Sequence, residues 1–343
     1  MGPRVRTHYK YTGPNLAQVM YAGRSRDGKI DVKITTQLGR TDDLVRVYYH
    51  LDYTFLQDVS YDRLAFFQMP ADRYADNGYT RFAYGNESGV TADQEITEHG
   101  TTGYPSEEAR GIELPGDSPW VMLYAYDPPS DNLAEHLANI GFVVRAFEAK
   151  LGDATISAPH INLQRTYNGG QSQVAFELGL PYDAQSTTVP AGSTVSATVE
   201  YLVPPSDKAA YYGSSDYLTD LDAESFQNTA MMLRLAEGNQ LILESTIGTV
   251  IRAQPPELQA ASGETAAVEF TLTGGLGHTP IIIHGLPQPN GWQLEQNGEP
   301  VNQAVEGNDF WQAYGDADKG SFSLVYNVQN RGTNTYRLIK LTE

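Results

Sequence analysis

Residues 43–55, DLVRVYYHLDYTF, constrain the fold of this chain more than any other segment. Val45, Val47, Tyr49, Leu51, Tyr53 and Phe55 fall on one side of a two-residue repeat, and Leu44, Arg46, Tyr48, His50, Asp52 and Thr54 on the other. Successive side chains of a strand point to opposite faces, whereas a helix would scatter both sets around its surface. The segment therefore predicts one long strand with a greasy face and a polar, aromatic-studded face.

The same period recurs along the chain. Ile30, Val32 and Ile34 alternate between the turn signals SRDG (25–28) and QLGRTDD (37–43). Further strand-like runs are LAFFQM (64–69), WVMLYAY (120–126), GFVVRAFEAKL (141–151), VAFELGL (174–180) and VSATVEYLV (195–203). After residue 238 come LILEST, VEFTLT, PIIIHGL, WQLEQNG, SFSLVYNV and TYRLIKL. The 32 glycines and 19 prolines fall mostly between such runs, as in an all-β protein. One helix is expected at 216–235, where Leu218, Leu221, Phe226, Met232 and Leu233 follow helical spacing and acidic residues crowd the first turns. A shorter helix is expected at 132–138. No fixed-period repeat is present, so a solenoid or propeller is not expected. The predicted fold is an all-β, large antiparallel β-sandwich with one helix near 216–235. Its divisions are a main sandwich over 1–204, a loop and helical connection over 205–238, and a C-terminal β region over 239–343 that also fits as part of the same sandwich.

Composition excludes several classes of function. With no cysteine, the chain has no disulfides, thiolate nucleophile or cysteine–zinc site. Twenty-three basic residues stand against 42 acidic ones, a formal net charge of −19, which repels phosphate backbones and anionic membranes. Neither nucleic acid nor membrane is an expected partner, and oligomeric state is open. No run approaches the ~18 apolar residues of a membrane helix, and the first residues hold no apolar signal-peptide core. The abrupt start suggests one segment of a longer or mature chain, and the expected location is secreted or periplasmic.

Residues 13–55, with the pattern GPNLAQVMYAG, RSRDG and KIDVKITTQLGRTDDLVRVYYHLDY, resemble the opening of the supersandwich found in polysaccharide lyases, some glycoside hydrolases and galactose-mutarotase-like proteins. The likeness covers about an eighth of the chain. It implies carbohydrate as the ligand class, often with the sandwich joined to a separate catalytic domain, and transfers no catalytic residue.

The polar face of the long strand is the first candidate site. Arg46, Tyr48, His50 and Asp52, spaced two apart, line a sheet over ~20 Å. Sugar recognition needs aromatic platforms for C–H faces and planar donors and acceptors for hydroxyls, and this row holds both. A solvent-facing strand or one packed under a loop would show the same row. The second candidate is 68–86, QMPADRYADNGYTRFAYGN, which gathers Asp72, Arg73, Tyr74, Asp76, Asn77, Tyr79, Arg81 and Tyr84. Loops over a rigid sheet collect binding residues, although Asp and Asn also serve turns. Lysis by β-elimination requires a base, an acid for the leaving oxygen and a group that neutralises the uronate carboxylate. His50 or a tyrosine fits the base, Tyr48 or Tyr74 the acid, and Arg46, Arg73 or Arg81 the neutraliser. Asp52, Asp72 and Asn77 are further substrate contacts. Hydrolysis would instead need two carboxylates ~5–9 Å apart, and the sequence selects no pair.

The seven histidines stand at no metal-ligand spacing. Asp316 with Asp318, and Asp220 with Asp222, bring oxygens together but without an EF-hand loop, and each pair also reads as a turn or helix start. No cofactor is expected, and structural calcium is left open. Trp292 and Trp311, near Asn308, Asp309 and Phe310, read either as a glycan-binding set or as residues that lock the C-terminal sheet. The chain is thus expected to be carbohydrate-active, a lyase or the β-rich part of a glycoside hydrolase acting on a polysaccharide or oligosaccharide. The alternative is a non-catalytic glycan-binding or structural module of a larger extracellular protein, and a third class is a viral or surface assembly protein. An anionic substrate would require a local basic cleft, for which Arg46, Arg73 and Arg81 are the expected cations.

Overall fold

The computed structural model describes residues 4–341 apart from 14, 40–43, 62–63, 73–78, 80, 97–110, 125–138, 169–170, 182–186, 206–207, 210, 212, 214, 263–265, 302–303, 306–307, 310 and 317–320. The first four strands, β1 (Arg6–Thr12), β2 (Leu16–Arg24), β3 (Ile30–Gly39) and β4 (Val45–Phe55), run as an antiparallel meander. From β4 the ladder continues through Thr194–Val203, Ile140–Leu151, Trp120–Tyr124, Arg81–Asn86 and Gly89–Glu95. With Ala154–Ile156 paired to Ile140–Leu151, this makes a ten-stranded antiparallel sheet.

A four-stranded sheet, in the order Ala65–Asp72, Gln171–Gly179, His160–Asn168 and Ile112–Glu113, packs on its apolar face. Leu51, Tyr53 and Phe55 of β4 enter this core beside Ile30 and Val32 of β3, as the alternation requires. Phe67 meets Phe142 edge-on across the two layers, with ring centroids 5.5 Å apart, and Phe82 meets Phe176 at 6.0 Å. The protein is an all-β sandwich.

The helix expected over 216–235 is broken. Residues Asp216–Thr219 form α1, Glu224–Phe226 a 3-10 turn, and Asn228–Gly238 α2. The break has a local cause: the Asp222 carboxylate accepts the Ser225 backbone N–H at 2.8 Å, an Asx arrangement that competes with helical pairing. Met231, Met232, Leu235 and Ala236 of α2 pack on Trp120, Met122, Val143 and Leu202, on the face of the large sheet opposite the four-stranded one. The helix expected at 132–138 lies outside the described residues.

Val59–Tyr61 and Thr187–Val189 form a separate two-stranded pair, and the strands after α2 build a second, smaller sandwich of two five-stranded sheets with a further pair, Ala304–Val305 and Asn308–Asp309. Phe270 and Tyr336 stack at 5.1 Å in its core, among Leu243, Ile281, Ile283, Leu294 and Leu324. This sandwich docks on the polar face of the meander. Tyr11 and Leu16 are buried against Ile282 and Val325, and the Tyr11 ring meets Tyr314 edge-on at 4.7 Å. That docking decides what becomes of the polar side of β4.

Candidate functional site

One part of β4's polar side lies under the C-terminal sandwich. Arg46, Tyr48 and His50 are buried there, not laid along an open trough. The Arg46 guanidinium donates to Asn239 Oδ1 at 2.9 Å and to the His278 carbonyl at 3.1 Å. Tyr48 donates its hydroxyl to Glu200 Oε1 at 3.2 Å and accepts from Gln254 Nε2 at 3.2 Å. Glu200, fully buried on the neighbouring strand, also accepts from Asn239 Nδ2 and from Arg145 Nε, the latter at 2.7 Å. Arg145 in turn donates to the carbonyls of Leu235 and Ala236 at 3.2 and 2.6 Å. Those carbonyls end α2, where intrahelical donors run out and the helix dipole favours a cation. Burial of so many polar groups is tolerable because they satisfy one another. The network joins the large sheet, α2 and the C-terminal sandwich.

The same enclosure sets the titration of the two residues expected as acid and base. Burial first, and the Glu200 charge second, push the Tyr48 hydroxyl well above its ordinary value. Burial, then the charges of Arg252 and Lys33, hold His50 down at about 3. Arg252 Nη1 lies 2.7 Å from His50 Nε2, and arginine only donates, so Nε2 accepts and Nδ1 carries the hydrogen toward Thr198 Oγ1 at 3.2 Å. The lone pair a base would use is therefore occupied.

His50 also makes a stability prediction. Unfolded, it titrates near ~6.5; folded, only near 3. Between those values the unfolded chain binds more protons, so stability is full above ~6.5 and falls with pH toward 3, by at most ~1.4 kcal/mol per pH unit per proton. His284, also held down chiefly by burial, adds in the same direction. Urea midpoints are expected to drop steadily from pH 7 to pH 4, and a His50→Gln variant is expected to show a flatter decline.

The other expected site residues scatter. Asp72 ends the strand Ala65–Asp72 opposite Gln173. Arg73, Tyr74, Asp76 and Asn77 lie outside the described residues. Arg81 is engaged with Asp93 at 3.0 Å and with the Tyr124 hydroxyl at 3.0 Å, a clamp across three adjacent strands. Burial, then the hydrogen bond to Asp93, raises Tyr124 to about 12. Trp292 packs in the C-terminal core and donates to the Gln288 carbonyl at 2.9 Å, the locking role of the two readings; the side chain of Trp311 is outside the described residues. Asp222 serves its turn, Asp318 is not described, and no group of three or more metal-ligating side chains occurs among the described residues.

Beyond the edge of the C-terminal sandwich the polar face opens. Asp52 and Thr54 there form part of a groove of about 990 Å³ with Asp31 and Lys33 of β3. Its lip carries four arginines, Arg4, Arg6, Arg24 and Arg26, and one carboxylate, Asp27. The turn from β2 to β3 holds two of these arginines in place. Ser25 N–H donates to the Ile30 carbonyl at 2.8 Å, Ser25 Oγ to Asp27 Oδ1 at 2.6 Å, and Gly28 closes the turn at φ +75. Gly23 lets the start of β1 come close, because a Cβ there would stand 3.2 Å from the Arg4 carbonyl oxygen. Two ion pairs cross the groove, Arg24–Asp31 at 2.9 Å and Lys33–Asp52 at 3.4 Å, all four side chains about half exposed. Arg4, Arg6 and Arg26 hold no carboxylate among the described residues.

Of the expected substrate contacts among the described residues, Asp52 reaches this groove. The arginines that line it are Arg4, Arg6, Arg24 and Arg26, and neither Arg46 nor Arg81 is among them. A signal for it exists in the sequence: seven of the 23 basic residues fall within positions 1–33, against two of the 42 acidic ones.

No protein-family model matches the chain, and no curated protein matches it. Among solved structures it is similar to the GH36 α-galactosidase AgaA of Geobacillus stearothermophilus, at 7% identity and a TM-score of 0.33 over 58% of this chain. A galactose mutarotase related enzyme from Lactobacillus acidophilus matches 61% of this chain and 72% of its own, at 7% identity and a TM-score of 0.27. A polysaccharide lyase matches 94% of this chain and 36% of its own, at 11% identity and a TM-score of 0.19. The chain spans only 27% of the α-galactosidase's length. Likeness at this level assigns neither a substrate nor a reaction.

Proposed function

We propose that the protein binds an acidic polysaccharide in the groove between the β1–β2 lip and the β3–β4 floor, as a glycan-binding module. One observation carries this reading: five cations against three carboxylates line one open groove, a local excess of positive charge on a protein whose net charge is −19. On such a surface a polyanion gains electrostatically only where the sign is locally reversed. Asp31, Asp52 and Thr54 beside those cations add acceptors for hydroxyl groups, as a sugar chain needs. Among the described residues no histidine or tyrosine lines the groove, which favours binding over elimination chemistry at this place.

Retention on immobilised polygalacturonate, alginate and chondroitin sulfate, against neutral galactan and xylan, tests the reading. Retention on the acidic polymers and not on the neutral ones is the expected result. Equal retention on neutral polymers, or none on any, would overturn it. The same mixtures, followed for the ultraviolet absorbance of unsaturated uronates and for new reducing ends, are expected to stay unchanged.

A further inference from the structure

The pairing register places charge in the groove by strand. Across one row, Arg24 of β2 stands opposite Asp31 of β3, which stands opposite Thr54 of β4. Across the next, Arg6 of β1 faces Ala22 of β2, then Lys33 of β3, then Asp52 of β4. Residues directly opposite share a face of the sheet, and rows two residues apart are ~7 Å apart along the strands. Arginine cations therefore occupy the β1–β2 side, and carboxylate and hydroxyl oxygens the β3–β4 side, with Lys33 between them. Ala22, the one small side chain of its row, keeps the floor low between Arg6 and Lys33.

Each ring of a 1,4-linked uronate chain has a matching asymmetry: its carboxylate projects from one edge and its 2- and 3-hydroxyls from the other, and the screw of the chain turns the next ring away from that orientation. We infer that the groove seats one uronate ring of such a chain, carboxylate edge on the β1–β2 arginines and hydroxyl edge on Asp31 and Asp52, and that these two carboxylates set selectivity for uronates over bare polyanions. The inference rests on reading the groove as a polysaccharide site. In the reversed orientation the ligand carboxylates would meet Asp31 and Asp52. A polymer charged on both edges meets them in either orientation, so the same residues attract one ligand and repel another.

The test compares the wild type with an Asp31→Asn/Asp52→Asn double variant, both positions being part-exposed and isosteric. Three probes are titrated at one ionic strength: polygalacturonate, its 2,3-di-O-acetylated form, and inorganic polyphosphate of equal charge. Wild type is expected to bind polygalacturonate about tenfold more tightly than the acetylated form, the worth of one charge-assisted hydrogen bond per site. In the variant that discrimination is expected to vanish, and the affinity ratio of polygalacturonate to polyphosphate to fall by about tenfold or more. Indifference of the wild type to acetylation, or an equal gain by the variant toward all three probes, would overturn the orientation while leaving polysaccharide binding in place. Wild-type binding of polyphosphate alone would remove the polysaccharide reading itself, and the inference with it.

Discussion

Glu200→Ala is expected to lower the free energy of unfolding by ~3–5 kcal/mol, the usual range for stripping one partner from a buried ion pair. Glu200 is fully buried, and Arg145 beside it is 2% exposed. Without the carboxylate, the guanidinium keeps only neutral acceptors: the Ser118 hydroxyl and the carbonyls that end α2. Tyr48 and Asn239 lose the same acceptor at once. Glu200→Gln is expected to cost less, because the amide oxygen still accepts while the charge is lost. An Arg145→Met/Glu200→Leu double variant is expected to be more stable than Glu200→Ala, since Arg145 is no longer left buried without its carboxylate. Urea unfolding checks all three. A shift in midpoint at constant slope reports stability, and a changed slope would show that the C-terminal sandwich has come away from the large sheet.

The second large effect concerns binding. An Arg4→Gln/Arg6→Gln/Arg26→Gln variant is expected to lose affinity for polygalacturonate by about a thousandfold, taking about tenfold for each charge-assisted contact and near-additivity at separate sites. These three arginines hold no carboxylate among the described residues, so no internal anion is stranded by their removal. Stability is accordingly expected to stay within about 0.5 kcal/mol of wild type. Arg24→Gln is expected to act more weakly on binding, because Arg24 already holds Asp31 and must give up that pair to engage a ligand. Loss of binding with unchanged urea midpoints identifies the lip as ligand-facing. Unchanged binding would place the ligand elsewhere.

What was legible in the sequence follows the range of the interactions concerned. The two faces of β4 could be read because alternation is local: Leu51, Tyr53 and Phe55 go to the core and Arg46, Tyr48, His50 and Asp52 to the other side. The fate of that other side could not, because it depends on strands some 200 residues later. Arg252 reaches His50 and Gln254 reaches Tyr48 only once the C-terminal sandwich has docked, and Asn239 reaches Tyr48 from the end of α2. The Arg145–Glu200 pair was hidden for the same reason, its members lying on neighbouring strands 55 residues apart in the chain. The break in the helix near Asp222 was local but masked by good helical spacing on either side of it. The basic groove was within reach of a segment-by-segment charge count. The overall charge concealed it, since a net −19 averages away a cationic start.

The groove's role is tested most directly by titrating the protein with polygalacturonate and with neutral galactan across a series of sodium chloride concentrations. Binding built on arginine–carboxylate contacts weakens steeply as salt rises, because the Debye length shrinks from ~10 Å at 0.1 M to ~3 Å at 1 M. The expected result is saturable binding of polygalacturonate that fades across the series, with galactan unbound throughout. Salt-independent binding of polygalacturonate, or equal binding of galactan, would contradict the account.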